Sequence, residues 1–275
     1  MKKLRNFRES GFLKDMVNRA LRSFDIGIAR YAALEKLRSE ARLGAAASRD
    51  IAFLSTIHQP ETLLKTLQYL PSSKAQLRQD LFVLSCLGFK TGGFFVEFGA
   101  TNGLDLSNTY LLEKEFNWTG ILAEPARCWH GPLRENRSAS IETNCVWRDS
   151  TSSLLFNEVR SAEYSTVSTY SGTDSHVEIR RIGREYQVET ISLMDLLEKH
   201  NAPEVIDYLS IDTEGSEFEI LEAFDFSKYK FRVITCEHNY TPMREKILEL
   251  LSAKGYSRVF QEITYFDDWY ILNDM

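Results

Sequence analysis

Short apolar runs alternate with amphipathic segments from about residue 75 onward, the pattern of strands alternating with helices. The apolar runs predict five parallel strands, at Phe94–Phe98, Gly120–Glu124, Ile141–Val146, Ile206–Ile211 and Phe231–Cys236. The segments between them predict four helices, at Ser107–Phe116, Ser192–His200, Ser216–Ala223 and Thr241–Lys254. This alternation is typical of an α/β fold with a mostly parallel, doubly wound sheet.

The end of the chain breaks the alternation. Two apolar runs, Ser257–Ile263 and Trp269–Leu272, are separated by too few residues for a crossover helix. They therefore predict an antiparallel hairpin on the otherwise parallel sheet. A doubly wound sheet that ends in such a hairpin is the Rossmann-like arrangement of class I methyltransferases, and ordinary dinucleotide dehydrogenases lack it.

The first 48 residues form a basic segment with partly helical spacing of apolar residues, holding 11 Lys and Arg against 5 Asp and Glu. A further helix is predicted from Ala52 to Leu70, closed by Pro71. Residues 1–71 are therefore predicted to be an N-terminal helical arm that packs on its own body or on a second subunit. The alternative is peripheral contact of its basic face with an anionic membrane. Residues 72–275 form the predicted catalytic domain, in which the polar segment 150–188 is an insertion near the acceptor site.

Charge and composition narrow the functional classes. The chain carries a net charge of −6, so the part after the basic arm is strongly acidic, which argues against nucleic acid as a substrate. Four scattered cysteines without a Cys-x-x-Cys pair favour neither a zinc site nor a disulfide framework. No apolar run is long enough for a membrane span, and no leader peptide is evident, so a cytoplasmic protein is expected, with the inner face of the membrane as an alternative location.

Acidic residues collect at the carboxyl ends of the predicted parallel strands, where open α/β sheets bind ligands. They are Glu97, Glu124, Asp212, Glu214 and Glu237. The turn Gly99–Gly103 follows the first strand but lacks the Gly-x-Gly-x-x-Gly spacing that suits a pyrophosphate. S-adenosylmethionine carries a sulfonium and an ammonium group and no phosphate, so carboxylates suit it. They would also suit a divalent metal, held by Asp212, Glu214, Glu237 and His238, and that alternative stays open.

Several blocks in order resemble the FkbM family of methyltransferases. They are Val96–Gly103 with Ser107-Asn108-Thr109, Ile121–Pro125, Ile206–Glu217, Glu237-His238-Asn239 and, upstream, Gln76–Asp80. The resemblance spans about residues 76–273 and implies a class I fold, S-adenosylmethionine as methyl donor, and O-methylation of a hydroxyl on a sugar, glycan or related natural product.

The resemblance also implies a role for each matching position. The methionine part of the cofactor is assigned to Glu97, Gly99, Ala100 and Gly103. The ribose is assigned to Glu124 and the adenine to the Asn144–Trp147 stretch that contains Val146, while Asn108 and Pro125 complete the cofactor set. Asp212, which is also counted as cofactor-binding, and Glu214 are placed where the methyl group meets its acceptor.

A hydroxyl acceptor needs a base or a metal because an alcohol is a weak nucleophile at neutral pH. His238, which directly follows the fifth strand, and Asp212 are the two candidate bases, and Glu237 joins them in the catalytic set. Two other functions stay open: a non-catalytic cofactor-binding assembly protein and a nucleotide-sugar oxidoreductase. The predicted partner is a small-molecule or glycan acceptor, and a homo-oligomer is left open.

Overall fold

Helices and strands alternate through residues 31–273, the part of the chain that the computed structural model describes. These residues divide into two units, 31–51 and 52–273. The helices are α1 (Tyr31–Ser55), α2 (Pro60–Tyr69), α3 (Gln79–Cys86), α4 (Tyr110–Phe116), α5 (His130–Asn136), α6 (Val177–Arg180), α7 (Leu193–Lys199), α8 (Glu217–Glu222) and α9 (Met243–Ala253). The strands are β1 (Phe94–Phe98), β2 (Thr119–Ala123), β3 (Ser140–Glu142), β4 (Cys145–Trp147), β5 (Ser153–Glu158), β6 (Thr166–Val167), β7 (Arg184–Ser192), β8 (Val205–Ile211), β9 (Lys230–Glu237), β10 (Tyr256–Val259) and β11 (Asp267–Leu272).

The main sheet has seven strands in the order β3–β2–β1–β8–β9–β11–β10. Strands β3, β2, β1, β8 and β9 run parallel, while β11 lies antiparallel between β9 and β10. The parallel strands are buried because helices cover both faces of the sheet, which explains their continuous apolar runs. The predicted class I sheet and its terminal hairpin are thereby confirmed.

A second sheet of four strands, in the order β4–β7–β5–β6, is built mainly from residues 145–192. It has its own small apolar cluster, centred on Phe156, Val167 and Val188. The prediction of a single strand at Ile141–Val146 is wrong, because this segment forms two strands. Strand β3 belongs to the main sheet and β4 to this second sheet. The chain changes sheets at Thr143 and Asn144, whose backbone N–H groups both donate to the Glu142 carboxylate.

The helical N-terminal part also differs from its prediction. Helix α1 continues through Gly44–Ala47 to Ser55, and the helix predicted from Ala52 to Leu70 is broken before Pro60, which starts α2. Proline is favoured at the start of a helix because N–H groups in the first turn have no acceptor within the helix, so the N–H that proline lacks is not missed there. The predicted arm residues 1–30 lie outside the described residues, and the boundary at residue 71 stays a prediction. Within residues 31–273, no helix is long and apolar enough to cross a membrane.

Candidate active site

A cavity of about 260 Å³ opens at the carboxyl ends of the parallel strands. Its floor is formed by the ends of β1, β2, β8 and β9, and its wall by residues of the second sheet and its loops, including Phe156, Tyr164 and Val167. This is the edge at which doubly wound sheets bind ligands. The segment 150–188 therefore contributes to the cavity wall.

The turn after β1 brings the backbone of Gly99 against the end of β8. Gly99 has a φ of 71°, and a Cβ atom there would lie 2.1 Å from the backbone oxygen of Asp212. Only glycine combines this left-handed conformation with so close an approach. The turn and the Asp212 strand end are thus held in contact beside the cavity.

Alanine at Gly99 should destabilise the fold more than alanine at Gly88. Both glycines have a positive φ, but a Cβ at Gly88 meets nothing within 4 Å. Gly88→Ala should therefore cost about 1 kcal/mol for the left-handed backbone alone, whereas Gly99→Ala should cost at least about 1 kcal/mol more because backbone must move. Urea unfolding of the two variants measures the difference, and equal losses would contradict the contact.

Glu97 organises the loop that leads into α4. Its carboxylate accepts hydrogen bonds from the backbone N–H of Asn108 at 2.8 Å and from the Ser107 hydroxyl at 3.1 Å, together with the Thr109 hydroxyl. The buried Arg137 guanidinium lies 3.7 Å from the same carboxylate. Glu97 lines the cavity, and its oxygens already hold the 107–109 loop in place.

Glu124, at the end of β2, is buried against the cavity. One oxygen accepts from the backbone N–H of Thr101 and the other from that of Ala126, both at 2.8 Å. Burial raises the pKa of Glu124 to about 7, against the lowering effect of these two hydrogen bonds. Each oxygen keeps a second lone pair for a ligand hydroxyl.

Three further carboxyl groups meet at the ends of β8 and β9. Ligand atoms of Asp212, Glu214 and Glu237 all lie within 4.8 Å of one another. Burial, and then the other carboxylates, raise the pKa of Glu214 and of Glu237, and burial raises that of Asp212. A hydrogen bond joins Asp212 to Glu237, so these two groups share a proton more readily than both ionise.

An arginine from the second sheet's loops holds Glu214. Arg180 is 2% exposed and donates to Glu214 at 2.7 Å and to Asp174 at 2.9 Å. The Asn239 amide nitrogen donates to Glu214 at 3.1 Å and to Glu237 at 2.7 Å. The acidic cluster is therefore fixed from both sides.

The structure does not bring His238 to the acidic cluster, which corrects its expected position. Successive strand residues point to opposite faces, so Glu237 faces the cavity and His238 faces away. The His238 Nδ1 atom accepts from the backbone N–H of Tyr240 at 3.0 Å, and Nε2 lies 3.8 Å from Asp268. Burial lowers the pKa of His238 to about 4, so the ring is a neutral support of the following turn.

Ala100 and Gly103 also lie outside the cavity lining, as do Asn144 and Trp147 of the stretch predicted to flank the adenine. Ala100 is 1% exposed and packs in the core. A Cβ at Gly103 would lie 2.5 Å from Arg137 and 2.6 Å from Leu133, so this glycine is needed for packing against α5 and the residue that follows it. The predicted residues that do line the cavity are Glu97, Gly99, Asn108, Glu124, Pro125, Val146, Asp212, Glu214 and Glu237.

Sequence reasoning missed Asp267, which starts β11 and also lines the cavity. The predicted site residues follow the carboxyl ends of parallel strands, but an antiparallel strand begins at that same edge of the sheet. Strand β11 pairs Asp267 with Glu237, so the predicted hairpin already contained the signal. One Asp267 oxygen accepts from Gln79 at 2.9 Å and from the Trp269 indole at 3.1 Å.

The Asp267 carboxyl should make the fold less stable as the pH rises. Burial raises its pKa from 3.8 to about 7, so the folded state binds more protons than the unfolded state between these values. Its favourable contribution is complete below about pH 4 and is lost by about pH 7. As the pH goes from 5 to 8, the free energy of unfolding of Asp267→Asn should therefore rise relative to that of the wild type by at least about 1 kcal/mol. Urea unfolding across that range measures the difference, and a pH-independent difference would contradict the shift.

Comparison with known proteins gives a family for this domain. A family model described as the methyltransferase FkbM domain matches residues 97–258, more than half of the chain. Among curated proteins, none matches the chain.

Solved structures similar to the chain are distant. One is a precorrin-6y C5,15-methyltransferase from Geobacter metallireducens, with 14% identity over 70% of this chain and 85% of that chain and a TM-score of 0.39. Another is the METTL16 MTase domain, with 13% identity over 71% of this chain and 66% of that chain and a TM-score of 0.40. A third is a human methyltransferase 10 domain containing protein, with 12% identity over 71% and 80% and a TM-score of 0.34. These similarities carry no conclusion about the substrate.

Proposed function

Because the chain belongs to the FkbM methyltransferase family, we propose that it is an O-methyltransferase that uses S-adenosylmethionine to methylate a hydroxyl of a saccharide, a glycan or a related natural product. The family implies the cofactor. We propose two further points, that the methylated atom is a hydroxyl oxygen and that the acceptor is a saccharide, a glycan or a related natural product.

The observation that carries the proposal is the charge of the cavity. Its lining includes Glu97, Glu124, Asp212, Glu214 and Glu237, and no lysine or arginine of the described residues lines it. Such a site suits a cofactor with a sulfonium and an ammonium group and disfavours the pyrophosphate of a dinucleotide. The residues present therefore fit S-adenosylmethionine and disfavour the nucleotide-sugar oxidoreductase.

The cofactor would lie along the sheet edge from β2 to β8. Glu124 offers free lone pairs to the ribose hydroxyls, Pro125 and Val146 flank the adenine, and the Gly99 turn leaves room for the methionine part. When bound, the cofactor supplies a methyl group that its sulfonium activates for transfer. The acceptor oxygen must then reach this methyl in line, beside Asp212.

Asp212 is the proposed proton acceptor. Asp212 would accept the proton that the acceptor hydroxyl gives up, and the hydrogen bond from Glu237 orients its carboxylate. Burial raises the pKa of Asp212 above its usual value, which makes it a stronger base than an exposed aspartate. Arg180 and Asn239 hold Glu214 and Glu237 around it.

Glu124→Ala should weaken the binding of S-adenosylhomocysteine at least about tenfold, because a charge-assisted hydrogen bond contributes about 1.5–3 kcal/mol. Glu135→Ala is the matched control, since Glu135 is exposed and does not line the cavity. Isothermal titration calorimetry measures both. Equal affinities for the two variants would remove Glu124 from the cofactor site.

Transfer of isotopically labelled methyl from S-adenosylmethionine to a panel of glycans tests the proposed function, with Asp212→Ala as the control. Mass spectrometry should find an O-methyl ether on at least one acceptor with the wild type and none with the variant. Binding of S-adenosylhomocysteine without turnover of any glycan would instead favour the non-catalytic assembly protein.

The same assay after exhaustive chelation tests the divalent-metal alternative. Asp212, Glu214 and Glu237 provide three carboxylates, although Asn239 and Arg180 already occupy part of their bonding capacity. Base catalysis predicts unchanged turnover after chelation. Loss of turnover that added Mg²⁺ restores would replace the base with a metal.

Cytoplasmic location and contact of the basic arm with the inner membrane face stay part of the proposal. So do the 1–71 and 72–275 domain division and the absence of a nucleic acid partner. Fluorescence microscopy of the full chain against a chain without residues 1–30 would test the membrane contact, which predicts loss of peripheral signal on truncation.

A further inference from the structure

The cavity extends well beyond the region proposed for the cofactor. It runs along the sheet edge from Glu124 after β2 to Asp267 at the start of β11, and β1, β8 and β9 lie between these strands. Four strand spacings of about 4.8 Å separate β2 from β11, which is about 19 Å. Asp267 therefore lies at the end opposite the proposed ribose position, past the Asp212 cluster.

One buried oxygen atom at this end has no hydrogen-bond partner among the described residues. Asp267 is 4% exposed, and its Oδ1 atom is unpaired while Oδ2 accepts from Gln79 and Trp269. A buried polar atom without a partner is costly. The free oxygen of the ionised Asp267 carboxylate is an acceptor, so the ligand at this end must bring a donor.

The charge at this end restricts the ligand further. Glu237 and Asp267 line it, and none of the residues lining the cavity in the described chain is a lysine or an arginine. A phosphate, sulfate or carboxylate group would meet carboxylates here and no counter-ion, which is unfavourable in a buried site. A neutral hydroxyl donates to Asp267 without this penalty.

We propose that Asp267 is an acceptor-binding residue whose free Oδ1 atom accepts a hydrogen bond from a hydroxyl of a polyhydroxylated acceptor without anionic groups. Gln79 and Trp269 hold the other oxygen and so fix the direction of the free one. This inference rests on the proposed methyltransferase function and narrows its acceptor class.

Asp267→Asn tests the proposal with little change in shape. The amide oxygen can keep the bonds from Gln79 and Trp269, which leaves an amide N–H₂ donor where the carboxylate offered an acceptor. The assay measures transfer from S-adenosylmethionine to the methyl glycosides of glucose, galactose, mannose and rhamnose. The corresponding 6-phosphates and uronic acids are the anionic comparison.

The expected result is turnover of a neutral glycoside and at least a tenfold poorer kcat/KM for its anionic counterparts. Asp267→Asn should raise KM for that glycoside at least about tenfold, change kcat much less, and leave the affinity for S-adenosylhomocysteine unchanged. Asp268→Asn is the matched control. Asp268 is buried next to Asp267 but is held by Arg244 and Arg258 outside the cavity, so its loss should lower the Tm and leave KM unchanged.

Three results would overturn the inference while the proposed function stands: preferred turnover of phosphorylated or uronic sugars, an unchanged KM in Asp267→Asn, or a loss of S-adenosylhomocysteine affinity in that variant. The last would place Asp267 in the cofactor site. No turnover of any glycoside would overturn the saccharide function itself, and this inference with it.

Discussion

Asp212→Asn should lower kcat by about 10²–10⁴-fold, the usual contribution of a positioned general base. The amide has nearly the same size as the carboxylate and can still bond to Glu237, but it cannot take the hydroxyl proton. The affinity for S-adenosylhomocysteine should change far less than kcat, because the backbone contact with Gly99 is kept. Single-turnover kinetics with labelled S-adenosylmethionine separate the two effects.

Asp225→Asn is the control for this substitution. Asp225 is exposed, and within residues 31–273 its carboxylate accepts hydrogen bonds from the backbone N–H and the hydroxyl of Ser227. Its amide variant should keep the wild-type kcat. Wild-type turnover by Asp212→Asn would move the base to another carboxyl of the cluster, of which Glu237 is the nearest by hydrogen bonding.

Arg180→Met should lower the free energy of unfolding by about 3–5 kcal/mol, since it leaves buried carboxylates without their cation. Arg180 is fully enclosed between Asp174 and Glu214. Arg180 lowers the pKa of Glu214, which burial raises to about 9, so removing Arg180 should raise that pKa further.

Arg181→Met is the matched control for Arg180→Met. Arg181 pairs with Glu178 at 3.0 Å, but both side chains are more than two-thirds exposed. Exposed pairs contribute at most about 1 kcal/mol, so this variant should unfold close to the wild type. Urea unfolding of the two variants side by side measures the contrast. Similar small losses would mean that Arg180 is not needed to hold the wall of the cavity to the acidic cluster.

The central strands could be predicted because burial on both faces gives β1, β8 and β9 nearly continuous apolar runs. Locating these strands also located their carboxyl ends, so the cluster of Asp212, Glu214 and Glu237 could be predicted from the sequence. The terminal hairpin was predicted for a different reason, a connection too short for a helix. Each of these features depends on local pattern alone.

Features that depend on long-range packing were not predicted. Nothing near Arg180 in the chain marks it as the partner of Glu214, 34 positions away. The change from one sheet to the other at Thr143 depends on which strand pairs with β4. The spacing of apolar residues in the sequence does not show that pairing. Gly103 appeared to belong to the cofactor turn because of its spacing, although its contacts are with Leu133 and Arg137.

The position of His238 shows a different limit. The sequence placed a histidine at a strand end, which suggested a base, but strand alternation turns its ring away from the cavity. The same alternation could have been applied beforehand, since Glu237 and His238 cannot both face one side of a strand. Asp267 could have been predicted as a site residue, because the start of the antiparallel strand lies at the same sheet edge as the carboxyl ends of the parallel strands.

Calorimetric titration of the full chain with S-adenosylhomocysteine, and separately with NAD, tests the central claim most directly. A cavity lined by carboxylates, with no lysine or arginine among its described lining residues, should bind one S-adenosylhomocysteine per chain and give no heat with NAD. Binding of NAD without binding of S-adenosylhomocysteine would contradict the account of the site.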